Sequence, residues 1–184
     1  MREEHRTIRP VSIRNLAIRD LAIRDEPGLR AMFGRLGQDT IYKRFHTPYP
    51  RVPGPMLTHL MGHGGGRSLV AVAEGEIVGH ALYAEDPGGE AEVAVVVEDG
   101  WQSQGIGKLL LSGLARRAAG RAADRGVEAF TAVALGENRR VLGLADSVFA
   151  GARHTLEGGS YEMFMPLRGL RTATKPGREI RPAA

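Results

Sequence analysis

Gln102, Gly105 and Gly107, with Lys108 directly after, stand between a run of valines and a long stretch of helical apolar spacing. That order places two glycines and a cation at the first turn of a helix. Backbone N–H groups there have no partner within the helix, and the helix dipole adds partial positive charge. Glycines remove the side chains that would hold a pyrophosphate away from those N–H groups. Residues 102–108 therefore read as an anion site. Two commoner phosphate motifs do not fit: Leu109 follows Gly107–Lys108 where a P-loop needs Ser or Thr, and Leu110 stands where G-x-G-x-x-G needs its last glycine.

The second chemical candidate is a carboxylate, Glu92, inside the apolar stretch 91–97 (AEVAVVV). In a strand, Glu92, Ala94 and Val96 share one face and Val93, Val95 and Val97 the other. A carboxylate buried in such a strand is expensive and would have its pKa raised, which suits it to take a proton from an ammonium group. An amine with a pKa near 10.4 is almost wholly protonated at neutral pH and is not nucleophilic until it loses that proton. The other reading is a solvated glutamate at a strand edge. Glu90 and Glu98 flank the same strand, and Glu90 is the rival base.

Other residues carry less. His59 and His63 have i, i+4 spacing, but no third ligand is near in sequence, so no metal is expected. The loop 63–66 (HGGG) lacks the G-x-S-x-G elbow an esterase would need. Trp101 reads as packing beside the helix it precedes. Tyr42 and Phe45 read equally as core or as groove wall. The chain has no cysteine, which excludes disulfides, thiolate metal sites and cysteine nucleophiles.

These groups need a scaffold, and 184 residues suffice for one domain with a real core. Strands are expected at 14–20, 68–73, 77–84, 91–97, 127–135, 152–156 and 161–167. Helices are expected from Pro27, capped by Asp25, to a stop at Gly37, and at 56–61, 105–125 and 138–149. The turns 74–75 and 86–89 mark hairpins, while the prolines of 47–55 keep that segment extended or looped. The fold class is mixed α/β, a largely antiparallel twisted sheet of about seven strands with about four helices. The tandem LAIRD at 16–20 and 21–25 is too short to make a repeat protein.

The net charge of +4 belongs to residues 168–184, where five basic side chains face one glutamate. The body is neutral overall, so nucleic acid is disfavoured as a partner, and the tail reads as a flexible extension. The first ten residues form no secretory signal and no apolar run is long enough to span a membrane, so a cytosolic protein is expected. The divisions are an N-terminal extension at 1–13, a domain at 14–167 and the basic tail at 168–184.

At Gln102-x-x-Gly105-x-Gly107, after a strand and before a helix, the sequence resembles the GCN5-related N-acetyltransferase family, and the resemblance extends over roughly 14–167. It implies acetyl-CoA as cosubstrate. The pyrophosphate would lie on Gln102, Gln104, Gly105, Ile106, Gly107 and Lys108, and the pantetheine arm along Val95 and Val97. Asn138, in ENRRVL, resembles the asparagine that opens the family's next helix and contacts the cofactor. Residues 39–45 (DTIYKRF) and 91–97 resemble the bacterial protein lysine acetyltransferase subgroup, which implies a protein lysine as acceptor and Glu92 as general base. A small-molecule amine, or a non-catalytic acyl-CoA or protein-binding module, stays open, as does a homodimer. Ala145 occupies the position where many members carry a tyrosine as acid for the departing thiolate.

Overall fold

A computed structural model describes residues 15–61, 67–86, 88–120 and 127–170. The order is β1 (Ala17–Asp20), a 3-10 turn (Ile23–Asp25), α1 (Glu26–Arg35), α2 (Gln38–Phe45), α3 (Gly54–Met61), β2 (Ser68–Ala73), β3 (Glu76–Glu85) and β4 (Glu90–Val97). A second 3-10 turn (Asp99–Trp101) leads to α4 (Ile106–Gly120), β5 (Ala129–Leu135), α5 (Arg139–Val148), β6 (Arg153–Glu157), β7 (Ser160–Pro166) and a last 3-10 turn (Leu167–Gly169). The seven strands form one sheet ordered β1-β2-β3-β4-β5-β7-β6. Every neighbouring pair is antiparallel except β4–β5.

Each face of the sheet buries its own core. Leu110, Leu114 and Ala118 of α4 and Val148 of α5 pack with Leu69, Tyr83, Val93 and Phe130. On the other face Leu29, Met32 and Phe33 of α1 and Leu57 and Leu60 of α3 pack with Val70, Ile77, Leu82 and Val96. The long helix lies very close to the strands beneath it: a Cβ on Gly113 would sit 2.8 Å from Leu69 Cδ1. A larger residue there would force the Leu69 side chain to move aside.

Five α-helices appear among the described residues, and α2 is the one the apolar pattern did not reveal. Its signal is electrostatic: Asp39 and Lys43, four apart, pair at 2.6 Å. Asp25 does not cap α1. Its carboxylate turns back to the Arg19 guanidinium, at 2.6 and 2.7 Å, and to the Ala22 N–H. Arg19 holds the Asp25 carboxyl below its ordinary value, an effect that burial of the group opposes. Gly37 is not a left-handed helix stop; its φ is −68° and it precedes α2. What favours glycine there is a close neighbour, since a Cβ would lie 3.3 Å from Asp99 Oδ1.

Leu170, just past the expected boundary at 167, forms a bridge with Phe149. The expected N-terminal extension at 1–13, the glycine loop with His63, the last turns of the helix expected to reach 125, and the tail beyond Leu170 lie outside the described residues. No described helix is long and apolar enough to cross a membrane.

Tyr83 is fully buried between the sheet and α4, and its hydroxyl has no hydrogen-bond partner. A buried unsatisfied hydroxyl costs about 1–3 kcal/mol. Tyr83→Phe is therefore expected to raise stability by about 1 kcal/mol, or roughly 2–4 °C in Tm by calorimetry. A lower Tm would show that the hydroxyl is satisfied in solution.

Candidate active site

Strands β4 and β5 pair over only three residues: Glu90 with Ala129, Ala91 with Phe130 and Glu92 with Thr131. Past that point β4 continues to Val97 against β3, and β5 continues to Leu135 against β7. Each strand keeps one partner and loses the other, so the sheet splits into a wedge. Backbone groups of β4 that would have met β5 are left to other partners, since buried N–H and C=O groups need them. The wedge opens into a cleft of about 520 Å³, walled by β4, β5 and β7, by the N-terminal ends of α4 and α5, and by α2.

The turn from β4 to α4 closes the mouth. Ser103 and Gly105 have φ of +62° and +84°, left-handed conformations that turn successive N–H groups toward one concave point. The first α4 bond of the turn runs from the Leu109 N–H to the Gly105 carbonyl at 3.1 Å, which leaves the N–H groups of Ile106, Gly107 and Lys108 without helical partners. Gly107 needs to be glycine for no internal reason. Its φ is ordinary, and a Cβ would find its nearest neighbour, Leu144 Cδ2, at a comfortable 3.5 Å.

A polar brace holds this turn. The Gln102 side-chain N–H group donates to the Val97 carbonyl and to Thr40 Oγ1, both at 3.1 Å. Thr40 in turn donates to Asp99 Oδ1 at 2.7 Å, and Asp99 Oδ2 accepts the Gly37 N–H at 2.9 Å. Nearby, Glu98 grips Arg35 through two guanidinium nitrogens at 3.0 and 2.9 Å, and this hydrogen bonding raises the pKa of Arg35. Glu98 is thus committed to fixing α1.

Of the expected site residues, Val95, Val97, Gln102, Gly105, Ile106, Gly107, Lys108 and Asn138 all line the cleft. Asn138 precedes α5 but does not cap it with its side chain, which leaves the amide available to the cleft. Gln104 does not line the cleft; its amide donates to the Gly100 carbonyl. Ala145, at the position of the family's tyrosine, is buried in the cleft wall. Glu92 stands at the apex, at the last β4–β5 pair, on the strand face opposite Val93 and Val95, and its side chain does not itself line the cleft. The burial expected for it is absent: its side chain is exposed.

Sequence reasoning missed α2's contribution. Asp39, Thr40, Lys43 and Arg44 all line the cleft. Burial lowers the Arg44 guanidinium to about 10, and the nearby Glu92 carboxylate opposes that shift. His59 lies on α3, and the described residues contain no group of three or more His, Cys, Asp or Glu suited to a metal.

The acetyltransferase (GNAT) family profile matches residues 33–147, which include the split, the turn and most of α5. The chain belongs to this family. Its structure is similar to the GNAT domain of S. lividans PAT, at 25% identity and a TM-score of 0.70, over 81% of this chain and 89% of that one. It is also similar to a phosphinothricin acetyltransferase from Sinorhizobium meliloti in complex with AcCoA (22% identity, TM-score 0.61, 91% and 96% covered). A third neighbour is the ribosomal-protein-S18-alanine N-acetyltransferase from Escherichia coli (18%, 0.56, 89% and 99%). No curated protein matches the sequence significantly. The last two are named for different acceptors, so the likeness establishes the fold but not a protein lysine.

The brace makes its own prediction. Asp99→Ala leaves the Gly37 N–H and the Thr40 hydroxyl without their acceptor, and is expected to lower stability by about 1–3 kcal/mol by chemical denaturation. Asp99→Asn keeps one acceptor oxygen and should lose less. Equal stability in all three proteins would mean that water replaces the brace without loss.

Proposed function

We propose that this chain transfers an acetyl group from acetyl-CoA to a primary amine by direct attack in a ternary complex, with a protein lysine as acceptor. The wedge that opens beyond Glu92 and ends on the glycine turn carries this reading. The pantetheine arm lies along β4 at Val95 and Val97, where it replaces the absent β5 partner. The pyrophosphate rests on the N–H groups at 105–108, with Lys108 adding charge. Gln102 supports the site from behind, as a brace, and Asn138 contacts the pantetheine from the opposite wall.

At the apex Glu92 takes a proton from the acceptor ammonium, and its exposure gives that proton a route to solvent. The amine nitrogen then attacks the thioester carbonyl. The C–S bond breaks, the amide forms, and coenzyme A leaves as a thiolate that takes up a proton. A thiol with a pKa near 8.5 is a good enough leaving group to depart without an acid from the protein, which makes Ala145 tolerable. The lysine acceptor rests on the segments 39–45 and 91–97. A second reading, a module that binds acyl-CoA without turnover, is favoured by one observation, the buried Ala145 where a proton donor is common.

Two substitutions separate these readings. Gly107→Glu has room for its Cβ but puts a carboxylate at the anion site, so acetyl-CoA binding by calorimetry should vanish while the Tm holds. An unchanged Kd would place the anion site elsewhere. Glu92→Gln should leave acetyl-CoA affinity intact and lower turnover at neutral pH by on the order of 10²–10⁴-fold, less at high pH, where more of the amine is already neutral. Unchanged turnover would remove Glu92 from the mechanism. Tight binding with no transfer to any amine in wild type would favour the module.

A further inference from the structure

Arg44 has no role in the chemistry above, yet its Nε is shielded in the cleft wall without a partner. It lies on α2 in the cleft wall, stacked on the Phe45 ring at 4.8 Å. Its Nε is shielded from solvent and has no hydrogen-bond partner, and among the described residues the guanidinium makes no hydrogen bond or ion pair. A half-buried guanidinium whose Nε is shielded and unpartnered demands an explanation. Folding gains little from such a group, because a desolvated charge without a partner is destabilising.

The position of Arg44 says what would use it. One turn earlier on the same helix, Thr40 is bound to Gln102 at the phosphate end of the cleft. Arg44 instead interacts with Glu92, at the apex. The two are close enough to feel each other's charge but form no ion-pair contact. A cation in the cleft wall and an anion at the apex form a pair of opposite poles, complementary to a ligand with an ammonium at one end and an anion at the other.

We infer that Arg44 is an acceptor-binding residue: it takes a carboxylate of the acceptor in its guanidinium fork while the acceptor's amine faces Glu92. A planar guanidinium is the side chain best matched to a carboxylate, through two parallel hydrogen bonds. The inference rests on the acetyltransferase reading and narrows its acceptor to an amine with a carboxylate close by. Two sources share that chemistry: the α-carboxylate of a free amino acid, and an acidic side chain beside a target lysine. Acetylation converts the ammonium into a neutral amide, so the product loses its attraction to Glu92 while keeping its carboxylate on Arg44. The product is then held at one pole instead of two, which favours release.

The test compares wild type, Arg44→Met and Arg44→Lys on paired acceptors, with acetyl-CoA saturating. One arm uses free amino acids beside their carboxamides; the other uses lysine peptides with Glu or Gln next to the lysine. Wild type should favour the carboxylate member of a pair by about 10²-fold in kcat/KM, most of it in KM. Arg44→Met should erase that preference by lowering kcat/KM for the carboxylate member far more than for the carboxamide or Gln member, and Arg44→Lys should restore part of it. The arm that shows the preference identifies the source of the carboxylate. Without ligand, Arg44→Met should match or exceed wild type in Tm, because it removes a half-buried charge with no ion-pair partner among the described residues.

Wild type that acetylates both members of every pair equally would overturn the inference while leaving the acetyltransferase reading intact. So would an Arg44→Met protein with a lowered Tm and a uniform loss on all acceptors, since that is the behaviour of a structural residue. Absence of transfer to any amine would instead sink the acetyltransferase reading, and this inference with it.

Discussion

The structure depends on the brevity of one strand pairing. β4 and β5 lie at the centre of a seven-stranded sheet, where a missing row of backbone hydrogen bonds would normally be intolerable. It is tolerated here because each strand is secured on its other edge. β3 matches β4 through to Val97, and β7 matches β5 through to Leu135. The gap can therefore open without unravelling either half, and the backbone it exposes becomes a surface that a ligand chain can pair with. Position follows from the same fact. The apex lies at Glu92, and the mouth lies where β4 runs out and α4 begins.

The mouth is shaped by polar bonds between parts of the chain far apart in sequence. Gln102 reaches Thr40, and Asp99 reaches Thr40 and the Gly37 N–H, which ties the start of α2 to the turn before α4. Neither the turn nor α2 has enough apolar surface to be fixed by packing alone, since α2 buries only Thr40 and Ile41. The brace fixes the two against each other instead. In doing so it occupies the glutamine of the Gln102-x-x-Gly105-x-Gly107 pattern, whose side chain serves the protein while the glycines face the cleft.

What could be read in the sequence divides along physical lines. The strands at 68–73 and 91–97, the long helix and the glycine turn were legible because their signals are local: apolar period, turn residues, and a helix start rich in glycine. The side of the cleft contributed by α2 was not legible as such. Its apolar pattern is short, and its helical signal is the single pair Asp39 and Lys43. The state of Glu92 was misread for a different reason. Alternation in a strand tells which residues share a face but not how deeply each position on that face is buried, and at Glu92 the side chain is exposed. Asp25 shows the same limit at smaller scale: a residue type suited to capping was present, but Arg19, six residues back and across a turn, offered the stronger partner.

Overall charge concealed the most about the site. The body is neutral once the basic tail is set aside, which argued against any strongly charged face. The ion pairs resolve this. Arg19, Arg30, Arg35, Arg67 and Arg117 are each matched on the surface by an aspartate or glutamate. Lys43 in the cleft is matched by Asp39. The acids are thus spent largely outside the cleft, and Arg44, Lys108 and Arg140 line it without an ion-pair partner among the described residues. Zero net charge and a strongly cationic cleft are compatible because a field depends on where charges are paired, not on their sum. Add the open N–H groups at the start of α4, and a neutral body carries a pocket suited at one end to phosphates and at the other to a carboxylate.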